Sequence, residues 1–403
     1  MVNCMLTEPF NRAKPIIETI KKHNHQAYFV GGCVRDYLLK RPIGDVDIST
    51  SASPAIIQKL FKKVIPVGIE HGTVVVIHED TSYEITTFRV EGGYSDQRHP
   101  DSVKFIDQID KDLERRDFTM NALAMDLSGH IIDLFDGKKD INAKIIRTVG
   151  NGYERFKEDP LRILRALRFS SQLGFQIHPE TLKQMKEISS DIESLAVERI
   201  TKEFTKMFAG EYITNGLQYL KISGSYKYLP IFSEDPDLME QIPKSIQPLY
   251  SFGEVIALLH LLNKERSIME WGKKWKCSNQ EKMEAAALVK AFEYFQTNNM
   301  DKWLVYKLDK VYYNGFIRII NIFHPGRIDN KDILDVYQAL PLHSRKELCV
   351  NGNDLIHWFP NIKQGPWIHD MLTKIEKEVV IGTLINNKSD IKDWIKWNPP
   401  EVN

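Results

Sequence analysis

Cysteine is scarce in this chain. Cys4, Cys33, Cys277 and Cys349 are the only four among 403 residues. No two of them form a Cys-x-x-Cys pair, and none is spaced from histidine as in a zinc site. Reduced thiols in a cytosolic protein are therefore expected, rather than a disulfide-stapled scaffold. Long hydrophobic runs are missing as well. No stretch reaches the roughly 18 apolar residues a membrane span needs, and no long apolar run marks a secretory signal near the N-terminus. A surplus of either charge is also lacking, with 54 Lys and Arg against 54 Asp and Glu. Global charge thus offers no attraction to nucleic acid, and any RNA-binding surface must be a local basic patch. Repeats and low-complexity tracts are absent. A chain this long exceeds one compact core and predicts roughly two to four domains.

What is present begins with a double glycine and two aspartates: Gly31-Gly32-Cys33-Val34-Arg35-Asp36, then Gly44-Asp45-Val46-Asp47. Side chains at i and i+2 of a strand share a face. Asp45 and Asp47 are therefore expected side by side on a strand over Val46-Asp47-Ile48-Ser49. Adjacent carboxylates repel unless a divalent cation lies between them, and Mg²⁺ is typically held by one or two carboxylates plus substrate phosphates. Glycines let backbone N–H groups approach a phosphate chain. Chemistry on a nucleoside triphosphate follows as the expectation.

The first 150 residues mix helix and strand signals. A helix is predicted over Ala13 to His23 with Pro15 in its first turn, and a short strand over Ala27 to Val30. A hairpin is predicted from Thr73–His78 and Tyr83–Phe88, and a last strand from His130 to Leu134. Val90 to Pro100 is polar and glycine-rich and reads as a mobile loop. Beyond residue 150 helical periodicity takes over: Leu161–Leu173, Pro179–Ser189, Val197–Ala209, Val255–Leu262, Glu281–Phe295, Lys331–Leu340 and Trp367–Asn386. An α/β unit followed by an all-helical region is an α+β arrangement, not alternating βαβ.

The second informative stretch is Glu158-Asp159-Pro160-Leu161-Arg162-Ile163-Leu164-Arg165-Ala166-Leu167-Arg168-Phe169. Asp-Pro is a common helix opening. Arg162, Arg165 and Arg168 then form one slowly spiralling strip, with Leu161, Leu164 and Leu167 on one flank and Ile163, Ala166 and Phe169 on the other. Rows of like charge destabilise a helix, so an anion or a base edge is expected in front of them. Asp accepts from an exocyclic amine, and Arg donates a planar fork to base acceptors or phosphate. Asp159 and Arg162, three apart, would together read the pairing edge of cytosine or adenine.

These motifs, taken together, resemble the class II tRNA nucleotidyltransferases, most closely the bacterial CCA-adding enzymes. Val30 to Asp36 with Asp45-Val46-Asp47 is similar to the family's catalytic signature. Arg115-Arg116-Asp117-Phe118-Thr119-Met120-Asn121-Ala122 is similar to its ribose-selecting motif, and Glu158 to Arg162 to its base-reading motif. Val197-Glu198-Arg199-Ile200 resembles the helix-supporting motif that follows. Gly352-Asn353-Asp354-Leu355 and Gly365-Pro366-Trp367 resemble its C-terminal region.

The resemblance implies an α+β molecule. A nucleotidyltransferase head with a mixed β-sheet (1–150) would precede an all-helical neck (151–208), body (209–320) and tail (321–403). It implies addition of C, C and A to tRNA from CTP and ATP, in the cytoplasm, with tRNA as partner, no membrane partner, and a homodimer left open. Gly32 and Arg35 would contact the triphosphate and Asp45 and Asp47 would hold Mg²⁺. Arg116, Asp159, Arg162, Arg165 and Arg168 would contact the incoming nucleotide, and Asp117 its ribose.

Glu84 is a candidate third carboxylate. The loop from Phe88 to Pro100 resembles the element required for the final A. Lys273-Lys274-Trp275-Lys276 and Lys392…Trp394-Ile395-Lys396-Trp397 are basic-aromatic candidates for tRNA contact. Poly(A) polymerases share the head motifs, but Val67 to Val74 reads here as in CCA-adding enzymes. CC-only or A-only addition and a catalytically inactive RNA-binding protein complete the alternatives.

Overall fold

The computed structural model describes residues 7–94 and 100–400. The chain divides into two compact units, Met1–Glu240 and Gln241–Asn403.

The first unit opens with α1 (Glu8–Lys22), which buries Phe10, Ala13, Ile16, Ile17 and Ile20 along one stripe. The helix starts ahead of the expected Ala13, with Pro9 in its first turn and Pro15 in its interior. An exposed Arg12–Glu8 ion pair of 2.9 Å joins its first turns. Strand β1 (Ala27–Val30), α2 (Gly32–Leu38), β2 (Ile48–Thr50), α3 (Pro54–Leu60), β3 (Val64–Gly68), β4 (Thr73–His78) and β5 (Thr81–Thr87) follow. Next come β6 (Arg89–Gly92), β7 (Ser102–Phe105), α4 (Ile109–Glu114), β8 (Leu123–Met125) and β9 (Ile131–Asp133). The main sheet runs β3-β4-β5-β2-β1-β8-β9. Its β2–β5 pair is parallel, whereas its other pairs are antiparallel, so the sheet is mixed.

The β4–β5 hairpin forms as expected, but its turn is only Glu79-Asp80, with φ of 47° and 58°. Two left-handed residues match the twist of antiparallel strands. The polar stretch after Phe88 corrects the expectation of a plain loop, because β6 pairs with β7 in an antiparallel ladder from Arg89↔Phe105 to Gly92↔Ser102. Its side chains are fixed by ion pairs, Arg89 to Glu91 at 2.6 Å and Arg115 to Glu91 at 3.1 Å. Apolar alternation could not signal such a strand. Residues 95–99 of that stretch lie outside the described residues.

Helices α5 (Gly137–Ala143) and α6 (Gly152–Glu158) lead into α7 (Leu161–Leu173), which keeps its predicted bounds and ends at Gly174, φ 70°. Helices α8 (Pro179–Ile188), α9 (Val197–Phe208) and α10 (Ile213–Ser223) complete the region, with α7 packed against α9 and α10. A short parallel pair, β10 (Ile145–Ile146) with β11 (Gln176–Ile177), ties the segment before α6 to the one after α7.

The second unit is helical. Helices Phe252–Leu262, Asn279–Asn298 and Tyr313–Phe323 pack together, and a part-buried bidentate pair, Arg318 to Glu254 at 2.7 and 2.8 Å, joins the first to the third. The helix expected to run from Trp367 to Asn386 stops at Ile381, because Gly382 turns left-handed at φ 89°. Trp275 corrects the first basic-aromatic candidate. It is fully buried with its ring 5.3 Å from that of Phe252, so it serves the core rather than RNA. Trp397 is 87% exposed. Among the described residues no helix is long and apolar enough to cross a membrane.

Candidate active site

The site is assembled where β1 ends. Gly31 takes φ 74° and ψ −129°, a conformation open to glycine alone. A Cβ there would come within 2.9 Å of Arg116 Nη1. Glycine therefore serves both the turn and the close approach of an arginine to the backbone. A cleft of about 490 Å³ opens in front of this turn. Gly32, Arg35, Asp47, Arg116, Asp117, Arg162, Arg165 and Arg168 all line it, as does Glu84. Nine positions spread from residue 32 to residue 168 thus meet in one cavity.

Asp45 and Asp159 do not line the cleft. Strand β2 begins at Ile48, not Val46, so Asp45 and Asp47 sit in the segment before it. The Asp47 carbonyl accepts from Val30 N at 3.1 Å, and Val46 is buried. Asp47 faces the cleft, whereas Asp45 is exposed and borders a second hollow beside Arg12 and Tyr83. The two remain coupled. Burial pushes the Asp47 carboxyl up to about 6, helped by the charges of Glu84 and Asp45 and opposed by Arg116.

Asp159 is engaged on both oxygens. Oδ1 accepts from Leu161 N at 3.1 Å, capping α7, and Oδ2 accepts from Arg199 Nη2 at 2.8 Å. The arginine strip is likewise not a bare row of charge, because each member meets an acid outside α7. Arg162 pairs with Glu158 at 2.6 Å, Arg165 with Asp117 at 2.6 Å, and Arg168 with Glu203 at 2.6 Å. Burial works against the Asp117 carboxylate, but Arg165 and a hydrogen bond from Asn121 prevail and hold it down at about 2. Burial dominates at Arg168 and lowers it to about 10 despite Glu203.

Several participants escaped the sequence reading. Asn121 Oδ1 accepts from Arg35 Nη1 at 2.7 Å while its Nδ2 donates to Asp117 at 3.1 Å, joining two motif residues. Asp112, fully buried on α4, accepts from Arg115 at 2.9 and 3.0 Å and from Arg116 at 3.3 Å. It thereby aims the two neighbouring guanidiniums. Its spacing of three and four residues from Arg115 and Arg116 was a signal available in the sequence. Phe169 lines the cleft instead of merely flanking the strip. Glu203 had no such local signal, since it comes from a different helix.

The cleft suits an anion with an oxygen-loving cation. Its cationic wall carries a buried Arg116 Nε without a hydrogen-bond partner among the described residues. Facing it are hard carboxylate donors whose mutual repulsion a dication would relieve, which fits the ligand chemistry of Mg²⁺. Among the described residues no three His, Cys, Asp or Glu side chains are already clustered as metal ligands.

Comparison with known proteins identifies the family. Residues 27–147 match a family described as poly A polymerase head domain, residues 174–235 one described as a probable RNA and SrmB-binding site of polymerase A, and residues 253–395 a putative tRNA nucleotidyltransferase domain 2. The CCA-adding enzyme of Oceanobacillus iheyensis is 48% identical over 99% of this chain and 100% of its own length. That of Staphylococcus saprophyticus is 40% identical over 97% and 99%. The crystal structure of the Bacillus stearothermophilus CCA-adding enzyme in complex with CTP superposes with a TM-score of 0.88 at 35% identity, covering 98% of both chains. The Thermotoga maritima CCA-adding enzyme complexed with tRNA shares the fold, with a TM-score of 0.65 at 21% identity over 98% of this chain and 97% of that one. With its architecture and nearly its full length in common with them, the chain belongs to the CCA-adding enzymes, the bacterial class II tRNA nucleotidyltransferases.

Proposed function

We propose that this cleft completes and repairs the 3′ end of tRNA, adding C, C and A in turn from CTP and ATP without a nucleic-acid template and releasing pyrophosphate. The observation that carries the reading is the convergence of Asp47 and Glu84 with Arg35, Arg116, Arg162, Arg165 and Arg168 on one cavity. Phosphoryl-type transfer asks the protein mainly for positioning and charge neutralisation.

Gly32, Arg35 and Arg116 hold the triphosphate in this reading, with the unpartnered Nε of Arg116 as a ready donor. Asp117 approaches the ribose hydroxyl, kept ionised by Arg165. Asp159 and Arg162 read the base edge. Each carboxylate oxygen of Asp159 spends one acceptor site on Leu161 or Arg199 and keeps another for an exocyclic amine. The family generally uses a divalent metal, and Mg²⁺ held by Asp47 beside Glu84, with Asp45 turning in from the neighbouring hollow, would activate the tRNA 3′-hydroxyl and neutralise the leaving pyrophosphate. The segments 1–150, 151–208, 209–320 and 321–403 serve as head, neck, body and tail, and the enzyme works in the cytoplasm on its tRNA.

The match of residues 27–147 to a poly A polymerase head keeps polyadenylation as the second reading. Purified protein incubated with Mg²⁺ and tRNA ending at the discriminator base decides between them. Growth by three nucleotides with CTP plus ATP supports CCA addition. A long A tail supports polyadenylation, and no growth refutes both.

A further inference from the structure

Phe169 sits at the centre of the cationic wall. Its ring centroid is 4.1 Å from Arg168 Cζ, 5.1 Å from Arg35 Cζ and 5.4 Å from Arg165 Cζ. The ring is 4% exposed and meets Phe118 edge-on, with centroids 5.9 Å apart and planes at 88°. Arg35 comes from α2, beside the glycine turn, whereas Arg165 and Arg168 come from α7. One ring therefore contacts cations from both sides of the cleft.

Three guanidiniums this close repel one another. Each has an acid, Asp36, Asp117 or Glu203, but an acid both consumes N–H donors and cancels charge that an anionic ligand would use. An aromatic face does neither. Its quadrupole attracts a cation through the ring face and leaves the guanidinium edge free to donate. A leucine of similar apolarity would fill the space without that attraction.

We propose that Phe169 is a positioning residue for the incoming nucleotide, its ring holding Arg35, Arg165 and Arg168 in register while leaving the donors that Asp36, Asp117 and Glu203 do not take for the nucleotide. The inference rests on the nucleotide-binding reading of the cleft. It makes Phe169 the link between the phosphate grip on α2 and the arginine strip on α7.

Stepwise fluorination of the ring tests it, because fluorine drains the quadrupole with little change in shape. Phenylalanine, monofluoro-, difluoro- and trifluorophenylalanine are placed at position 169 of the full chain, and the Kd for CTP is measured by calorimetry beside the melting temperature. The Kd should rise stepwise with fluorine number, by about five- to tenfold at the end of the series, with melting unchanged. A Kd that stays flat while the unsubstituted protein binds CTP overturns this inference alone. No CTP binding by the unsubstituted protein overturns the functional reading, and this inference with it.

Discussion

Arg165 Nε lies 2.7 Å from Oδ2 of Asp117, joining α7 to the turn after α4 across 48 positions of sequence. The other oxygen of the same carboxylate accepts from Phe118 N at 2.8 Å and Asn121 Nδ2 at 3.1 Å. A buried carboxylate with this many donors stays charged. The pair therefore fixes the arginine strip against the ribose motif and keeps an acceptor at the bottom of the cleft.

Arg165 and the Asn121 amide hold the Asp117 carboxyl down at about 2, below the usual carboxylate range. A depressed pKa stabilises the fold fully above the unfolded value and ceases to do so as pH falls through the folded one. Asp117→Asn should therefore lower stability at pH 7 by about 2 kcal/mol. The gap to wild type should close as pH falls from about 4 toward about 2. Urea midpoints measured across that range check both the size and the direction.

Gly31→Ala places a side chain where the backbone is left-handed and Arg116 is already close. Strain of this kind costs about 1–3 kcal/mol, read as a lower melting temperature. Displacing Arg116 should also raise KM for CTP, and an unchanged KM would show that the glycine serves the fold alone.

Arg199 holds Asp159 at 2.8 Å. Arg199→Ala should leave this carboxylate free to turn, and discrimination of CTP over UTP should fall about tenfold, within the range that single base-edge contacts supply. Competitive incorporation of the two nucleotides into tRNA measures it.

The two tryptophans of the basic-aromatic stretches should behave oppositely. Trp275 is fully buried, so Trp275→Ala should cost about 3–5 kcal/mol of stability. Trp397 is 87% exposed, so Trp397→Ala should leave melting unchanged. If it stacks on RNA, tRNA affinity should fall by about 1–3 kcal/mol in a filter-binding assay.

Much of this was legible in the chain because local pattern matched local structure. Val74, Val76, Tyr83 and Ile85 alternate inward on β4 and β5, and α7 kept both ends because Pro160 opens it and Gly174 closes it. What stayed hidden depends on partners distant in sequence. Strand β6 carries Arg89 and Glu91, and the Glu91 carboxylate is covered because it pairs with both Arg89 and the distant Arg115. Trp275 looked like an RNA contact beside its lysines until Phe252 covered it. Phe169 is one step along the helix from Arg168, and only the approach of Arg35 from α2 shows that its ring belongs to the cleft. Alternation on a strand puts Asp45 and Asp47 on one face, yet the pairing with β1 ends at the Asp47 carbonyl and leaves Asp45 beyond it.

The most direct test of the account separates binding from chemistry at Asp47. In Asp47→Ala, CTP should still bind with close to wild-type affinity, because the arginines that grip it are untouched, while nucleotide addition to tRNA should disappear. Turnover near the wild-type rate in that variant would contradict the assignment of the acidic side of the cleft to catalysis.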